Sequence, residues 1–106
     1  MDVSIIETSG LGDRTWAINP RSERDLTVLD VRQSDEYTGG HLRGALNIPL
    51  HELRSRIEEL PGGEVWVHCA SGYRSSIAAS MIYQADRTVV LVNDEFDTVP
   101  EGELLR

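Results

Sequence analysis

Short apolar runs alternate with helical segments along most of the chain, and this alternation limits the possible folds more than any other feature. The runs at residues 26–31, 65–68 and 88–92 are rich in valine and leucine, which favours β-strands. Residues 45–48 form a candidate fourth strand. Because strands that are apolar along their whole length are buried on both faces, we predict an α/β fold with a mostly parallel central sheet and helices on both faces.

Two helices are predicted between these strands. The first covers residues 50–60, where leucine and isoleucine recur at helical spacing before Pro-Gly-Gly ends the pattern. The second runs from residue 74 to residue 84. Its expected buried stripe consists of Ile77, Ala78, Met81, Ile82 and Ala85. A shorter helical turn is predicted at residues 34–37.

The chain of 106 residues has room for one domain. Its first part follows the alternation poorly, so we assign residues 1–24 to an N-terminal strand and linker segment and residues 25–106 to the main domain. Within the N-terminal segment, residues 3–6 and 16–18 are candidate strand pieces.

Composition and charge exclude several classes of function. Ten arginines against eighteen carboxylates give a net charge of −8, which opposes binding to nucleic acid or to an anionic membrane. The chain contains no lysine, so a lysine Schiff base is excluded. No apolar run approaches the ~20 residues of a membrane span, and the first residues lack the pattern of a secretory signal. A single cysteine allows neither an internal disulfide nor a multi-thiolate zinc site. We therefore expect no metal, no cofactor and a reducing, cytoplasmic location.

The candidate site is the segment HCASGYRSS at residues 68–76, where a predicted strand ends and a helix begins. Ligands of open α/β folds bind at the carboxyl ends of strands, and the free N–H groups and dipole of a following helix favour an anion. Cys69 begins this loop, so its thiolate is a candidate for that anion, with a pKa below that of an ordinary thiol. Gly72 gives the backbone the freedom to bring several amides together.

Arg74 carries the one charge among residues 65–85. A cation in the first turn of a helix opposes the helix dipole, so its presence predicts an anion in the loop. Burial explains part of the shortage of carboxylates in this stretch, but it does not explain why the retained charge is positive. For Cys69 the alternative interpretation is an inert buried thiol, the usual state of a free cysteine. Its position at a strand end, before Ser-Gly and an arginine, favours a nucleophile.

A first motif consists of LDVR at residues 29–32, Glu36-Tyr37 and GHLRGALNIP at residues 40–49. It is similar to the first signature of the rhodanese (sulfurtransferase) family in its single-domain form, and the resemblance as a whole covers about residues 25–99. VHC at residues 67–69, continuing to Arg74-Ser75, is similar to its active-site signature. Two separate motifs at the family's spacing make a chance match improbable.

The resemblance implies a sulfurtransferase with a rhodanese-like fold. Cys69 would take a sulfane sulfur from a small donor, thiosulfate or a persulfide, and a thiol, a protein or cyanide would then remove it. Arg74 would be the second catalytic residue and would assist the anion. The remaining loop residues would bind the substrate: Ala70, Ser71, Gly72, Tyr73 and Ser75.

Residues of the first signature are expected to support this loop. Asp30 and Arg32 would form a partly buried polar network behind it. Glu36 and His41 would be structural, with His41 packed and hydrogen-bonded rather than titrating in catalysis. The side chain of Tyr73 is expected to point outward, where contact with an acceptor and simple exposure are both open.

The sequence departs from the family pattern in two places. Residues 93–99 retain the aromatic Phe96, but the family's Gly-Gly pair and tryptophan are missing. Asp94 and Glu95 in this stretch would repel anionic donors and favour a neutral or cationic acceptor or a protein partner.

Residues 3–14 resemble the opening strand of metallo-β-lactamase-fold enzymes, which are sometimes fused to rhodanese domains. The zinc motif of that fold is absent, which excludes a zinc hydrolase, and an ordinary strand pair is the favoured interpretation.

Two other functions compete with sulfur transfer. The first is a noncatalytic binding module that uses the rhodanese fold, against which the presence of both Cys69 and Arg74 argues. The second is a phosphatase or arsenate reductase, since the fold of the cell-cycle dual-specificity phosphatases resembles that of rhodaneses. Those phosphatases place five residues between cysteine and arginine, whereas this chain has four, a length that favours a sulfane sulfur over a tetrahedral oxyanion.

Overall fold

A computed structural model describes residues 26–92, the backbone of residues 3–6, and four positions beyond residue 92: Phe96, Val99, Leu104 and Leu105. The candidate strand at residues 16–18 and the acidic pair Asp94 and Glu95 lie outside the described residues. The proposed boundary between residues 24 and 25 also lies there and stays a prediction.

The strands form one large parallel sheet and one small antiparallel sheet. In chain order they are β1 (Val3–Ile6), β2 (Leu26–Asp30), β3 (His41–Leu42), β4 (Leu46–Asn47), β5 (Glu64–His68), β6 (Val89–Val92) and β7 (Leu104–Leu105). The large sheet has the order β1-β6-β5-β2-β4, and every neighbouring pair in it is parallel. Strands β3 and β7 pair antiparallel. The predicted mostly parallel central sheet is confirmed.

In the part of the chain that the structure describes, three α-helices connect these strands. They are α1 (Ser34–Gly39), α2 (Leu50–Arg56) and α3 (Tyr73–Gln84). The helix predicted for residues 50–60 ends earlier as an α-helix and continues as a 3₁₀ turn over Ile57–Glu59, a tightening that is common at helix carboxyl ends. None of the helices in the described part of the chain is long and apolar enough to cross a membrane.

The parallel sheet has a separate apolar cluster on each face. Helices α2 and α3 cover one face, where Leu53 and Ile82 pack against alternate residues of the strands, including Leu29 and Val67. The other face holds Val28 and Val92 and is covered by residues of α1, β3 and β7. Layers on both sides therefore bury most residues of the central strands, which explains why their sequences are largely apolar.

Helix α3 turns a different face to the sheet from the one that the sequence predicts. Ser75, Ala78, Ala79 and Ile82 are its buried residues, whereas Ile77 and Ala85 of the predicted stripe are exposed. The prediction was wrong about Ile77 because it favoured a large apolar side chain over small ones, and wrong about Ala85 because the helix ends at Gln84, which makes Ala85 its C-cap. In the structure the small side chains face inward, which allows the helix to lie close to the strands.

The parallel register aligns the carboxyl ends of the central strands at one edge of the sheet. Asp30, the last residue of β2, lies opposite His68 of β5 and opposite Asn47 of β4. The Val31 N–H donates to the His68 carbonyl at 3.1 Å, which carries this alignment into the segment after β2. The loop that begins at Cys69 therefore lies beside the end of β2.

Candidate active site

The sulfur of Cys69 lies in a ring of hydrogen-bond donors where β5 gives way to α3. The Gly72 N–H points at the sulfur from 3.1 Å and the Ser75 N–H from 3.2 Å. Gly72 adopts a left-handed conformation with φ 100°, which is strained for any residue with a Cβ, and this turn directs its amide inward. The loop thus surrounds the sulfur with fixed N–H dipoles at the amino end of a twelve-residue helix.

Ser75 completes the ring with its side chain. Its Oγ lies 3.3 Å from the Cys69 sulfur and 3.2 Å from the Gly72 carbonyl oxygen. With a protonated thiol, the S–H donates to the hydroxyl, which in turn donates to the carbonyl. When the thiol ionises, the hydroxyl can turn and donate to the sulfur instead, because a hydroxyl both donates and accepts. Ser75 is fully buried, so this small rotation needs no incoming water.

These contacts favour the thiolate form of Cys69. Burial by itself raises the pKa of the thiol, but the hydrogen bonds outweigh it and bring the pKa below that of an ordinary cysteine. They come from the Ser75 side chain and from the N–H groups of Ser75, Ser71 and Gly72. The low pKa predicted from the sequence therefore has a geometric cause in the loop.

The guanidinium of Arg74 is bound by a carboxylate from α1. Its Nη1 donates to Glu36 Oε1 at 2.7 Å and its Nη2 to Glu36 Oε2 at 3.2 Å. The hydrogen bonds that Arg74 donates to Glu36 raise the pKa of Arg74, and the charge of Cys69 acts on it in the same direction. From this arginine the sequence predicts an anion in the loop, but in the structure the anion that pairs with Arg74 is Glu36 of α1, 38 positions away along the chain.

A second arginine–carboxylate pair lies at the end of β2. Arg32 Nε and Nη2 donate to the two carboxylate oxygens of Asp30 at 2.8–3.1 Å, and Nη2 also donates to the Gly40 carbonyl at 2.8 Å. Both residues are buried almost completely, whereas the sequence predicted a partly buried network. The prediction underestimated burial because these two charges satisfy each other and backbone groups, which makes deep burial tolerable.

Phe96 connects this buried pair to the loop. Its N–H donates to the Ala70 carbonyl at 2.7 Å, and its ring stacks on His68 with the ring centroids 5.5 Å apart. The Arg32 guanidinium carbon lies 3.8 Å from the centre of the Phe96 ring. Burial lowers the pKa of His68, so this histidine is neutral near pH 7. The floor of the loop is therefore a packed layer of aromatic and arginine side chains.

The other predicted site residues surround this layer. His41 stacks on Tyr37 and its Nδ1 lies 2.9 Å from the Tyr37 carbonyl, a contact that requires a proton on Nδ1. Ser71 is exposed, Ala70 is half-buried, and the side chain of Tyr73 is 75% exposed beside the loop. The structure thus brings the loop residues together around the sulfur, while His41 packs against α1.

The sequence did not indicate two of these contacts. Glu36 was assigned only a structural role, and nothing in a single sequence pairs it with an arginine on another helix. Phe96 was noted as a retained aromatic, but its position under the loop depends on the path of the chain after β6. Both contacts join segments that are distant in sequence, which explains why local patterns miss them.

Comparison with known proteins places this geometry in a family. The pattern of the Rhodanese-like domain family matches residues 13–98. The chain belongs to that family. The fold predicted from the two signatures is therefore confirmed at the level of the family.

Relatives with curated descriptions are similar over part of their length. The chain is 42% identical over 59 residues to the "putative sulfur carrier protein YrkF" of Bacillus subtilis, which covers 55% of this chain and 32% of that protein. It is 30% identical over 78 residues to "thiosulfate sulfurtransferase GlpE" of Coxiella burnetii, which covers 72% of this chain and 73% of that protein. The chain thus spans about a third of the length of the sulfur carrier.

Solved structures share the whole fold. The crystal structure of reduced Bacillus anthracis CoADR-RHD superposes with a TM-score of 0.77 and 30% sequence identity. The match covers 98% of this chain and 18% of that one, so this rhodanese-like domain is similar to one part of a much longer protein.

Proposed function

We propose that the chain is a sulfurtransferase that carries a sulfane sulfur as a persulfide on Cys69. The observation that carries the proposal is the ring of donors around the sulfur, with Gly72 and Ser75 amides at 3.1 and 3.2 Å. Such fixed dipoles stabilise negative charge on sulfur without having to reorganise during the reaction. The name of the similar Coxiella burnetii protein, a thiosulfate sulfurtransferase, supports the same chemistry.

The first half-reaction loads the sulfur. The Cys69 thiolate attacks the sulfane sulfur of thiosulfate, a new S–S bond forms, and the bond between the two sulfurs of thiosulfate breaks. Sulfite leaves with the electron pair of that bond, and no proton is transferred. The product is an anionic persulfide, whose terminal sulfur the loop amides and the positive end of α3 would stabilise.

The second half-reaction unloads it. An acceptor thiolate, or cyanide, attacks the terminal sulfur, and the S–S bond to Cys69 breaks with its electron pair returning to the Cys69 sulfur. A protein acceptor would approach over Ser71 and Tyr73, which are the exposed residues of the loop. The name of the similar Bacillus subtilis protein, a putative sulfur carrier, fits such delivery. We also propose a reducing, cytoplasmic setting, because the reaction requires a free thiolate.

A noncatalytic binding module is the second candidate function. The Cys69 side chain is almost completely buried, as in an inert structural cysteine, and this observation favours the module. The lowered pKa of the thiol favours the enzyme, because an inert buried cysteine in apolar surroundings has a raised pKa. A phosphatase is disfavoured by the short loop and by the engagement of Arg74 with Glu36.

Intact-mass measurement tests the proposal directly. The reduced protein is incubated with thiosulfate and desalted, and its intact mass is measured by mass spectrometry. The variant Cys69→Ser, which retains the size of the side chain, is treated in the same way. We expect the wild type to gain one sulfur atom that cyanide removes, and the variant to gain none.

If the protein gains no sulfur, the alkylation rate of Cys69 distinguishes between the two possible explanations. If no sulfur is gained but iodoacetamide alkylates Cys69 faster at neutral pH than it alkylates free cysteine, the donor is not thiosulfate but a persulfide. If no sulfur is gained and Cys69 reacts slowly, the enzyme proposal is wrong and the binding module is correct.

A further inference from the structure

The contact between Glu36 and Arg74 lies at the surface of the site rather than beneath it. The Arg74 side chain is 27% exposed and that of Glu36 is 34% exposed, so both are within reach of a small solute. Arg74 occupies the first turn of α3, two residues after Gly72, and the charge of Cys69 acts on its pKa. A donor that enters the loop therefore meets this ion pair.

Glu36 cancels the positive charge that Arg74 would otherwise present to an anion. Two guanidinium N–H groups are directed to its carboxylate, which is the geometry of a bidentate pair. The other arginine beside the loop, Arg32, is buried and paired with Asp30, and the neighbouring His68 is neutral. For the described residues, the attraction of the site for an anion thus comes from amide dipoles rather than from an unpaired cation.

We infer that Glu36 is a specificity-determining residue that makes the site prefer singly charged sulfur donors to doubly charged ones. This inference rests on the proposed sulfur transfer and adds the class of donor. Amide dipoles can hold one negative charge, whereas a dianion needs a cation that is free to pair with its second charge. While Arg74 is paired with Glu36, that cation is not available.

The substitution Glu36→Gln removes the negative charge of Glu36 while it retains the local structure of α1. Glu36 Oε1 also accepts the Gln33 N–H at 2.8 Å in a capping box at the start of α1. Glutamine fills the same place in capping boxes, so the variant retains the cap while it releases the guanidinium. Asp35→Asn is the matched control, because it removes the same charge from the exposed neighbouring residue of the same turn.

Two donors that differ by one charge provide the comparison. Thiosulfate is a dianion that releases sulfite, and methanethiosulfonate is a monoanion that releases methanesulfinate. In both reactions the Cys69 thiolate forms a bond to the terminal sulfur, and the leaving group departs with the electron pair. Because only one oxyanion is replaced by a methyl group, the ratio of the two kcat/KM values reports the preference for charge.

We expect Glu36→Gln to raise the ratio of kcat/KM for thiosulfate to kcat/KM for methanethiosulfonate by about five- to tenfold, a size suited to a partly exposed ion pair. The rise should come from a lower KM for thiosulfate, and Asp35→Asn should change the ratio less than about twofold, because it does not touch Arg74. An unchanged ratio in Glu36→Gln, or an equal loss of activity with both donors, would overturn the inference and leave Glu36 as a residue that only positions Arg74.

A binding measurement tests the same inference without turnover. Sulfate, an unreactive dianion, is titrated as a protectant of Cys69 against alkylation by iodoacetamide. In Glu36→Gln, half-protection should require about five- to tenfold less sulfate than in the wild type, because Arg74 is free to pair with it. If both proteins need the same concentration, the inference is wrong even when the sulfurtransferase proposal holds. If the wild type accepts sulfur from neither donor and its Cys69 is also alkylated slowly, the proposed function fails, and the sulfate titration still decides the role of Glu36.

Discussion

The two arginine–carboxylate pairs beside the loop use the same groups in opposite surroundings. Asp30 and Arg32 are buried, two positions apart in the chain, and locked by three hydrogen bonds between their side chains. Glu36 and Arg74 come from separate helices and are about one-third exposed. The first pair is surrounded by the end of β2, the carbonyl of Gly40 and the ring of Phe96. The second pair faces the solution from which a donor would arrive.

This difference in burial separates a charged pair that stabilises the fold from a charged pair that can act on a sulfur donor. Breaking a buried pair leaves an unpaired charge in a medium of low polarity, so the fold holds that pair in one arrangement. A partly exposed pair is screened by water and costs little to open, so it can exchange one partner for another. We therefore expect substitutions in the first pair to change stability and substitutions in the second to change the choice of donor.

The largest effect is expected from Asp30→Asn. The substitution is nearly isosteric but leaves the Arg32 charge buried without its carboxylate, which should lower the free energy of unfolding by about 3 kcal/mol. Urea denaturation monitored by tryptophan fluorescence measures this loss. The control is Glu59→Gln, which breaks an exposed pair with Arg56 and should leave the midpoint unchanged. Equal midpoints for Asp30→Asn and the wild type would show that the buried pair does not stabilise the fold.

Acid should have an intermediate effect on stability, through the buried His68 next to the pair of Asp30 and Arg32. Burial lowers the pKa of His68 in the folded protein, whereas in the unfolded chain the pKa is about 6.5. Below about pH 6.5 the unfolded state therefore binds a proton that the folded state does not. Stability should fall as the pH drops through this window, by up to about 1.4 kcal/mol per pH unit, until the folded pKa is reached.

The contribution of His68 is measured as the difference in urea midpoint between about pH 7 and about pH 5.5. This difference in midpoint should be smaller in His68→Gln than in the wild type. In His51→Gln it should equal that of the wild type, because His51 is an exposed histidine on α2. A pH dependence in His68→Gln equal to that of the wild type would assign the acid sensitivity to other groups.

The smallest effect on stability is expected from Glu36→Gln, the same variant that should alter donor choice most. Because the pair is about one-third exposed and the cap of α1 is retained, the free energy of unfolding should fall by less than about 1 kcal/mol. The hydrogen bond from Arg74 lowers the pKa of Glu36, so the pair stabilises the fold above the ordinary pKa of a glutamate and stops doing so as the pH falls through the lowered value. A loss as large as that of Asp30→Asn would remove the distinction between the two pairs.

Local pattern was enough to predict the central strands β2, β5 and β6 and the loop that begins at Cys69. The apolar runs at β2, β5 and β6 and the helix beginning near Arg74 follow from residue types within a few positions of one another. The position of Cys69 at the strand end follows from the same reasoning, since the carboxyl end of a parallel strand is fixed once the strand is identified.

Contacts between distant segments could not be predicted in this way. The strand pair β3–β7 joins residues 41–42 to residues 104–105, and each strand has only two residues, too few for an apolar pattern. Helix α3 turns Ser75 inward, where its N–H contacts the Cys69 sulfur, and this orientation leaves the larger side chain of Ile77 exposed. The contact joins the helix to the loop, so the spacing of apolar residues along the helix does not predict it. The partner of Arg74 is decided by the packing of α1 next to the loop, which no single segment encodes.

The position of β1 has a consequence for how the chain folds during synthesis. Val3 pairs with Val89, so this strand is made before its partner and can pair only after 86 further positions have been made. Pairing across so long a stretch contributes heavily to the contact order and slows folding. The core around β2 and β5 can assemble first, since their pairing spans fewer than half as many residues. Strand β1 is therefore expected to be among the last strands to join the sheet, and until then the free edge of β6 is exposed to pairing with other chains.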